Sequence, residues 1–222
     1  MEGVLAAHGR GDPLPDAGIE ATAQIYLLLG RLFSYPAEEI QVVTRHASLN
    51  AAVMGLVESL PSTVSFGGFP APSLLPEELE SEYIRLFDLG FAGSPPCSLY
   101  EADYRKGELS RAEILEELFR FYGHFDVSLG GAERDYPDHL VVELEFMAFL
   151  AGKEAGAIAR GTQPDSYRLA QKDFLERHLG CWVPRLDSRI QRVEEPFYRG
   201  VSAFMREFIE GHLSSLRPAR ID

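Results

Sequence analysis

The sequence predicts an all-α fold, a single-domain bundle of about eight or more helices, on three observations. Apolar residues recur at helical spacing in segment after segment, so each segment offers one stripe to a core. Proline and glycine fall near the ends of those segments, where they start and stop helices. No stretch alternates apolar and polar residues with period two for long enough to make a strand, and no internal repeat is visible. At 222 residues, with 45% apolar and 11% aromatic content, the chain can bury one large core.

Residues 1–16 read as a flexible N-terminal arm ahead of an all-α domain over 17–215. From Ala17 to Phe33 the positions Ile19, Ala23, Tyr26, Leu27, Gly30 and Phe33 form a helical stripe, closed by Pro36. Glu38–Leu60 reads as one helix or two, with a break at Ser48–Asn50 and a stop at Pro61. A loop rich in glycine and proline leads to Pro76, which suits the first turn of a helix over Glu77–Leu89 with Leu79, Tyr83, Leu86 and Phe87 inward. The next stretch, GFAGSPPCSLYEADYRKG, has no period and reads as a structured loop. Ser110 with Glu113 three residues on makes a capping box, opening a helix whose apolar positions are Ile114, Leu115, Leu118, Phe119 and Tyr122. The polar, glycine-rich link that follows predicts a hinge near residues 123–134, dividing the domain into subregions 17–122 and 135–215. Later helices are expected to about Arg160, from Pro164 to Gly180, from Trp182 through Val193, and over Pro196–Leu213.

The segment DYPDHLVVELEFMAFL, Asp135–Leu150, is the one around which the others are arranged. Its apolar residues point nearly all the way round a helix, so that helix is expected to be buried. Pro137 fits a first helical turn, and Asp138 would then sit where the helix dipole favours an anion. His139 and Glu143 share one face, Asp138 and Glu145 another, which gives an apolar helix two polar seams. Such seams either knit neighbouring helices together or meet a ligand.

The formal net charge of -13, from 34 acidic and 21 basic residues, argues against a nucleic-acid partner and suits a basic peptide. Cys97 and Cys181 form no CxxC pattern, as in a reducing compartment. No apolar run reaches the ~20 residues of a membrane helix and no signal peptide is evident, so a cytoplasmic location without membrane insertion is expected. Phosphate-loop, dinucleotide-binding, nucleophile-elbow and zinc-protease motifs are all missing, so no catalytic residue, metal or cofactor is assigned. His139 stands out because, in sequence, it alone among the histidines has acids beside it. Asp138, His139 and Glu143 could therefore build an all-α metalloenzyme, or the histidine could be a satisfied core residue, or the acids could receive arginines of a bound peptide. Glu113, Glu116 and Glu117 read as a solvated helix face, and Trp182 as packing.

Three segments carry a family resemblance: EYIRLF at Glu82–Phe87, PPCSLYEADY at Pro95–Tyr104 and YPDHLVVELEFMAFL at Tyr136–Leu150. In order and spacing they resemble the TorD/DmsD/NarJ family of redox-enzyme maturation chaperones. The FLERHLGCWVP segment at Phe174–Pro184 is similar to that family's pattern as well. The resemblance implies a cytoplasmic, non-enzymatic chaperone. Its partners would be the apo catalytic subunit of a molybdenum oxidoreductase of the dimethyl sulfoxide reductase family and that subunit's twin-arginine leader. It would hold the client until the client's cofactor is inserted. The wording of the third segment most resembles chaperones of type II enzymes such as dimethyl sulfide, selenate or chlorate oxidoreductases. Carried onto this sequence, the resemblance implies a peptide-binding groove bordered by Leu86, Phe87, Pro96, Tyr100, Pro137, Asp138 and His139, supported by Tyr83, Glu143 and Glu145. A monomer or a dimer swapped at the glycine-rich link is expected. A structural accessory subunit of the mature enzyme is a third alternative.

Overall fold

The structure, a computed structural model, describes residues 17–36, 47–61, 63–88, 95–129 and 136–217. Among the described residues eight α-helices follow one another: α1 (Ala17–Leu32), α2 (Ala47–Val57), α3 (Pro76–Tyr83), α4 (Arg111–His124), α5 (Leu140–Ala159), α6 (Asp165–Arg177), α7 (Leu179–Ile190) and α8 (Pro196–Leu216). No strand occurs among the described residues, only a single bridge discussed below. The all-α expectation therefore holds. The arm, residues 37–46, residues 89–94 at the expected end of the Glu77–Leu89 helix and start of the following loop, and residues 130–134 of the expected hinge lie outside the described residues.

Helix α5 is the centre of the bundle. Leu140, Leu144, Met147, Leu150 and Ala151 have no solvent exposure, because α1 packs along one side of the helix and α6 along another. Gly30 of α1 faces that contact, and a Cβ there would meet Val141 and Leu144 at ordinary van der Waals distance. Helix α7 packs between α6 and α8, and α8 returns to α1, where Tyr26 and Phe208 meet edge to face at 4.8 Å. The loop before α3 is pinned along α8 by Phe66 and Phe69 against Phe204, and by the Glu195 carboxylate, which accepts from the Ser73 hydroxyl at 2.6 Å. Among the described residues, no helix is long and apolar enough to cross a membrane.

Local corrections have physical causes. The break expected at Ser48–Asn50 does not interrupt α2, which is continuous over Ala47–Val57, and Asn50 turns its amide to the loop, accepting from Phe69 N–H at 2.8 Å and donating to Phe69 C=O at 3.2 Å. Leu27 and Phe119, counted into apolar stripes, face solvent. The end of α3 widens into a π-helical turn at Ile84–Asp88, where Leu86 and Phe87 are buried. Gly180 does not end a helix. The chain leaves helical geometry at His178, and α7 starts at Leu179 and runs through Pro184. Glycine is required at 180 because a Cβ there would stand 2.4 Å from the Leu175 carbonyl oxygen. At α4 the capping box forms as predicted, with Ser110 Oγ accepting from Glu113 N–H and Glu113 accepting from Ser110 N–H at 2.8 Å.

Candidate functional site

The three segments that carry the resemblance are joined through their backbones. Cys97 N–H donates to Leu86 C=O at 3.0 Å, which ties the second segment to the π-turn of the first. Glu101 N–H then donates to Asp138 C=O at 2.9 Å and Leu140 N–H to Leu99 C=O at 2.8 Å, flanking an antiparallel bridge between Tyr100 and His139. These bonds occupy the Leu140 amide, one of those a helix start leaves without a partner inside the helix. His139 itself is the N-cap of α5, its Nδ1 accepting from Val141 N–H at 3.3 Å. Pro137 and Asp138 thus precede the helix rather than forming its first turn. Pro137 C=O is held by the Tyr122 hydroxyl at 2.9 Å instead of entering the helical ladder.

The chemistry above this junction divides into three parts. A cavity of about 190 Å³ is lined by Tyr35, Tyr83, Phe87, Tyr100, His139 and Val141, bringing four sequence-predicted residues together. Leu86 and Pro96 instead line a separate cleft of about 750 Å³ with Arg85, Arg189 and Arg192. Leu86 is wholly buried and Phe87 nearly so, packed on Phe33, Tyr83 and Tyr198, so both shape walls more than they offer surface. The third part is a cage around Asp138. Its carboxylate is fully buried, Oδ1 pairs with Arg111 Nη2 at 3.2 Å, and Oδ2 is buried without a donor. Burial raises the Asp138 carboxyl above its usual range despite the guanidinium beside it. The same guanidinium lies over the rings of Tyr136, at 4.7 Å, and Tyr100, at 5.5 Å.

Beneath the junction lies a buried polar network that the sequence reading did not anticipate. Glu101, fully buried, accepts from Arg105 at 2.8 Å and pairs with His178 Nδ1 at 2.9 Å. Glu143, also fully buried, accepts from the Trp182 indole at 3.1 Å, while its other oxygen has no donor. Burial, with the Glu101 carboxylate nearby, raises the Glu143 carboxyl well above its usual range, so its protonated form is favoured. The seam through Glu143 knits helices together, as one of the two expected outcomes.

Several expectations change accordingly. Glu145 faces solvent and braces nothing inside. Asp138, His139 and Glu143 diverge to Arg111, the Val141 amide and Trp182, so they do not converge on a metal. His139 is not alone in having acidic neighbours, because folding sets His178 against Glu101, 77 positions away in sequence, and 3.9 Å from Glu117. Glu117 is correspondingly no simple solvated residue: it is mostly covered and pairs with Arg177. Trp182 packs, stacked on Tyr104 at 5.4 Å, but also donates a hydrogen bond. Sequence reasoning missed Arg111, Tyr136 and Tyr35 as site residues. Glu101, His178 and Trp182 stood inside the segments that carry the resemblance, and that was their available signal.

Comparison with known proteins gives consistent matches. The family model described as nitrate reductase delta subunit matches residues 46–188. The selenate reductase assembly chaperone protein of Thauera selenatis is 37% identical over 197 residues, covering 89% of this chain and 90% of that protein. The chlorate reductase assembly chaperone protein of Ideonella dechloratans is 39% identical over the same shares. The dimethyl sulfide dehydrogenase assembly chaperone protein of Rhodovulum sulfidophilum is 33% identical over 76% of this chain and 69% of that protein.

Proposed function

The chain belongs to the TorD/DmsD/NarJ family of redox-enzyme assembly chaperones, matched by the nitrate reductase delta subunit model, and from that premise we propose how it works on its client. It is an assembly chaperone without catalytic activity of its own, and its client is the catalytic subunit of a molybdenum oxidoreductase. It acts in the cytoplasm, holding the apo subunit until the client's cofactor is in place. It receives the client's twin-arginine leader in a groove bordered by Phe87, Tyr100, Pro137, Asp138 and His139, while Leu86 and Pro96 lie on the separate cleft. Either a monomer or a dimer swapped at the 123–134 link carries out this role.

The observation that supports the leader reading is the backbone junction of the three segments. Two main-chain hydrogen bonds set Tyr100 beside His139 over a small pocket, with a buried carboxylate next to it. An aromatic wall suits the leader's apolar stretch, and Asp138 together with the net charge of -13 suits its arginines. The test is titration of a synthetic leader peptide, bearing an Arg-Arg pair ahead of an apolar stretch, into wild type and into His139→Ala and Asp138→Ala. Both variants are expected to stay folded by circular dichroism and to bind at least several-fold more weakly. Wild-type affinity in both would remove the groove from these residues. Co-purified client should be rich in the cofactor-free form, and capture of mature enzyme alone would favour an accessory subunit.

A further inference from the structure

The carboxylate best suited to receive a leader arginine is already occupied by an arginine of the chain itself. Arg111, the first residue of α4, pairs with Asp138 Oδ1 at 3.2 Å while its guanidinium lies over Tyr136 and Tyr100. That is the environment a guanidinium prefers: a desolvated carboxylate for its fork and aromatic faces for its plane. The Asp138 side chain has no exposure, yet the Arg111 side chain keeps 48% of its own. Arg111 is therefore the partner able to leave, and the carboxylate is the fixed half of the pair.

We propose that Asp138, Tyr100 and Tyr136 form a guanidinium cage that Arg111 fills in the free chaperone, and that an arginine of the client leader takes Arg111's place. The proposal rests on the leader reading above and adds to it a competitor inside the chain. Arg111 keeps the buried carboxylate neutralised while the site is empty, which spares the uncompensated charge that a vacant cage would leave. It also sets a threshold. A ligand must offer a cation at least as well matched to two rings and a carboxylate as the one it displaces, so arginine is accepted where lysine is not.

The experiment measures the affinity of an Arg-Arg leader peptide and its Lys-Lys counterpart for wild type, Arg111→Ala and Arg111→Lys, with thermal melts alongside. Removing a half-exposed arginine that pairs with a buried carboxylate and lies over two aromatic rings should tighten Arg-Arg binding by about three- to tenfold in Arg111→Ala. The gain should be smaller for Lys-Lys. The Arg-Arg peptide should also raise the Tm of Arg111→Ala more than that of wild type, because it restores a cation to Asp138. If Arg111→Ala does not fold, Arg111→Lys carries the test, since an ammonium matches the cage less well and should yield more readily to the peptide. Unchanged or weakened Arg-Arg binding in the folded variant, with wild type binding normally, overturns the cage and leaves the leader reading standing. If neither protein binds the peptide, the leader reading fails, and the cage is judged by guanidinium chloride at millimolar concentration. Stabilisation of Arg111→Ala beyond that given by sodium chloride supports the cage, and equal effects overturn it.

Discussion

Glu143→Gln is expected to stabilise this protein at neutral pH, although it replaces a fully buried, hydrogen-bonded side chain. The amide keeps the shape and the acceptor for the Trp182 indole, 3.1 Å away in the parent. What disappears is an ionisation. Because burial raises the folded carboxyl above its unfolded value, the native state binds more protons than the unfolded state as pH climbs past that value. Stability of the parent therefore falls with rising pH, by about 1.4 kcal/mol per unit, from near pH 4.5 up to the raised folded pKa. The variant lacks that slope, so the two should match in acid and diverge toward neutrality. Urea unfolding at several pH values measures this directly, and the chain's single tryptophan, Trp182, reports it from the bond in question. Parallel pH profiles, or a variant less stable than the parent at pH 7, would refute the assignment of a proton-retaining Glu143.

His212 should act in the opposite sense. Burial lowers it from 6.5 to about 3, so the stability tied to its neutral form is present above pH 6.5 and is lost as pH falls toward 3. The loss approaches ~5 kcal/mol at the lower limit. His212→Gln, which keeps an acceptor for the Tyr26 hydroxyl, should flatten that acid limb in urea melts, and an unaltered limb would contradict the assignment. Gly180→Ala should lower the Tm by roughly 4–8 °C, the equivalent of ~2 kcal/mol, because a Cβ placed 2.4 Å from a backbone oxygen must push the start of α7 away from α6. An unchanged Tm would mean that the helix junction yields without strain.

Helix existence, the capping box at Ser110, the absence of strands among the described residues and the burial of α5 were legible in the sequence, because each depends on neighbours within a turn or two. Periodicity reports which way a side chain points relative to its own helix, and α5, apolar nearly all round, has to be inside. The same locality explains the misreadings. Leu27 and Phe119 kept the right period but face solvent, while Gly180 resembled a stop and proved to be a point of close approach.

The sequence by itself determined that this chain is an all-α protein, and, through three short segments, that it resembles a known family of chaperones. Tertiary structure alone decided which polar residues meet. Asp138, His139 and Glu143 are near neighbours in sequence and were read as one group, yet the start of α5 sends them to three places: a guanidinium, a backbone amide and an indole. Glu101 and His178 are distant in sequence and share one buried bond. A charge pair is worth most where water is excluded, and exclusion of water is a property of the packed bundle. Arg111 carries that lesson to the candidate site, since nothing in its sequence neighbourhood marks it, and only the fold sets it against Asp138, Tyr100 and Tyr136.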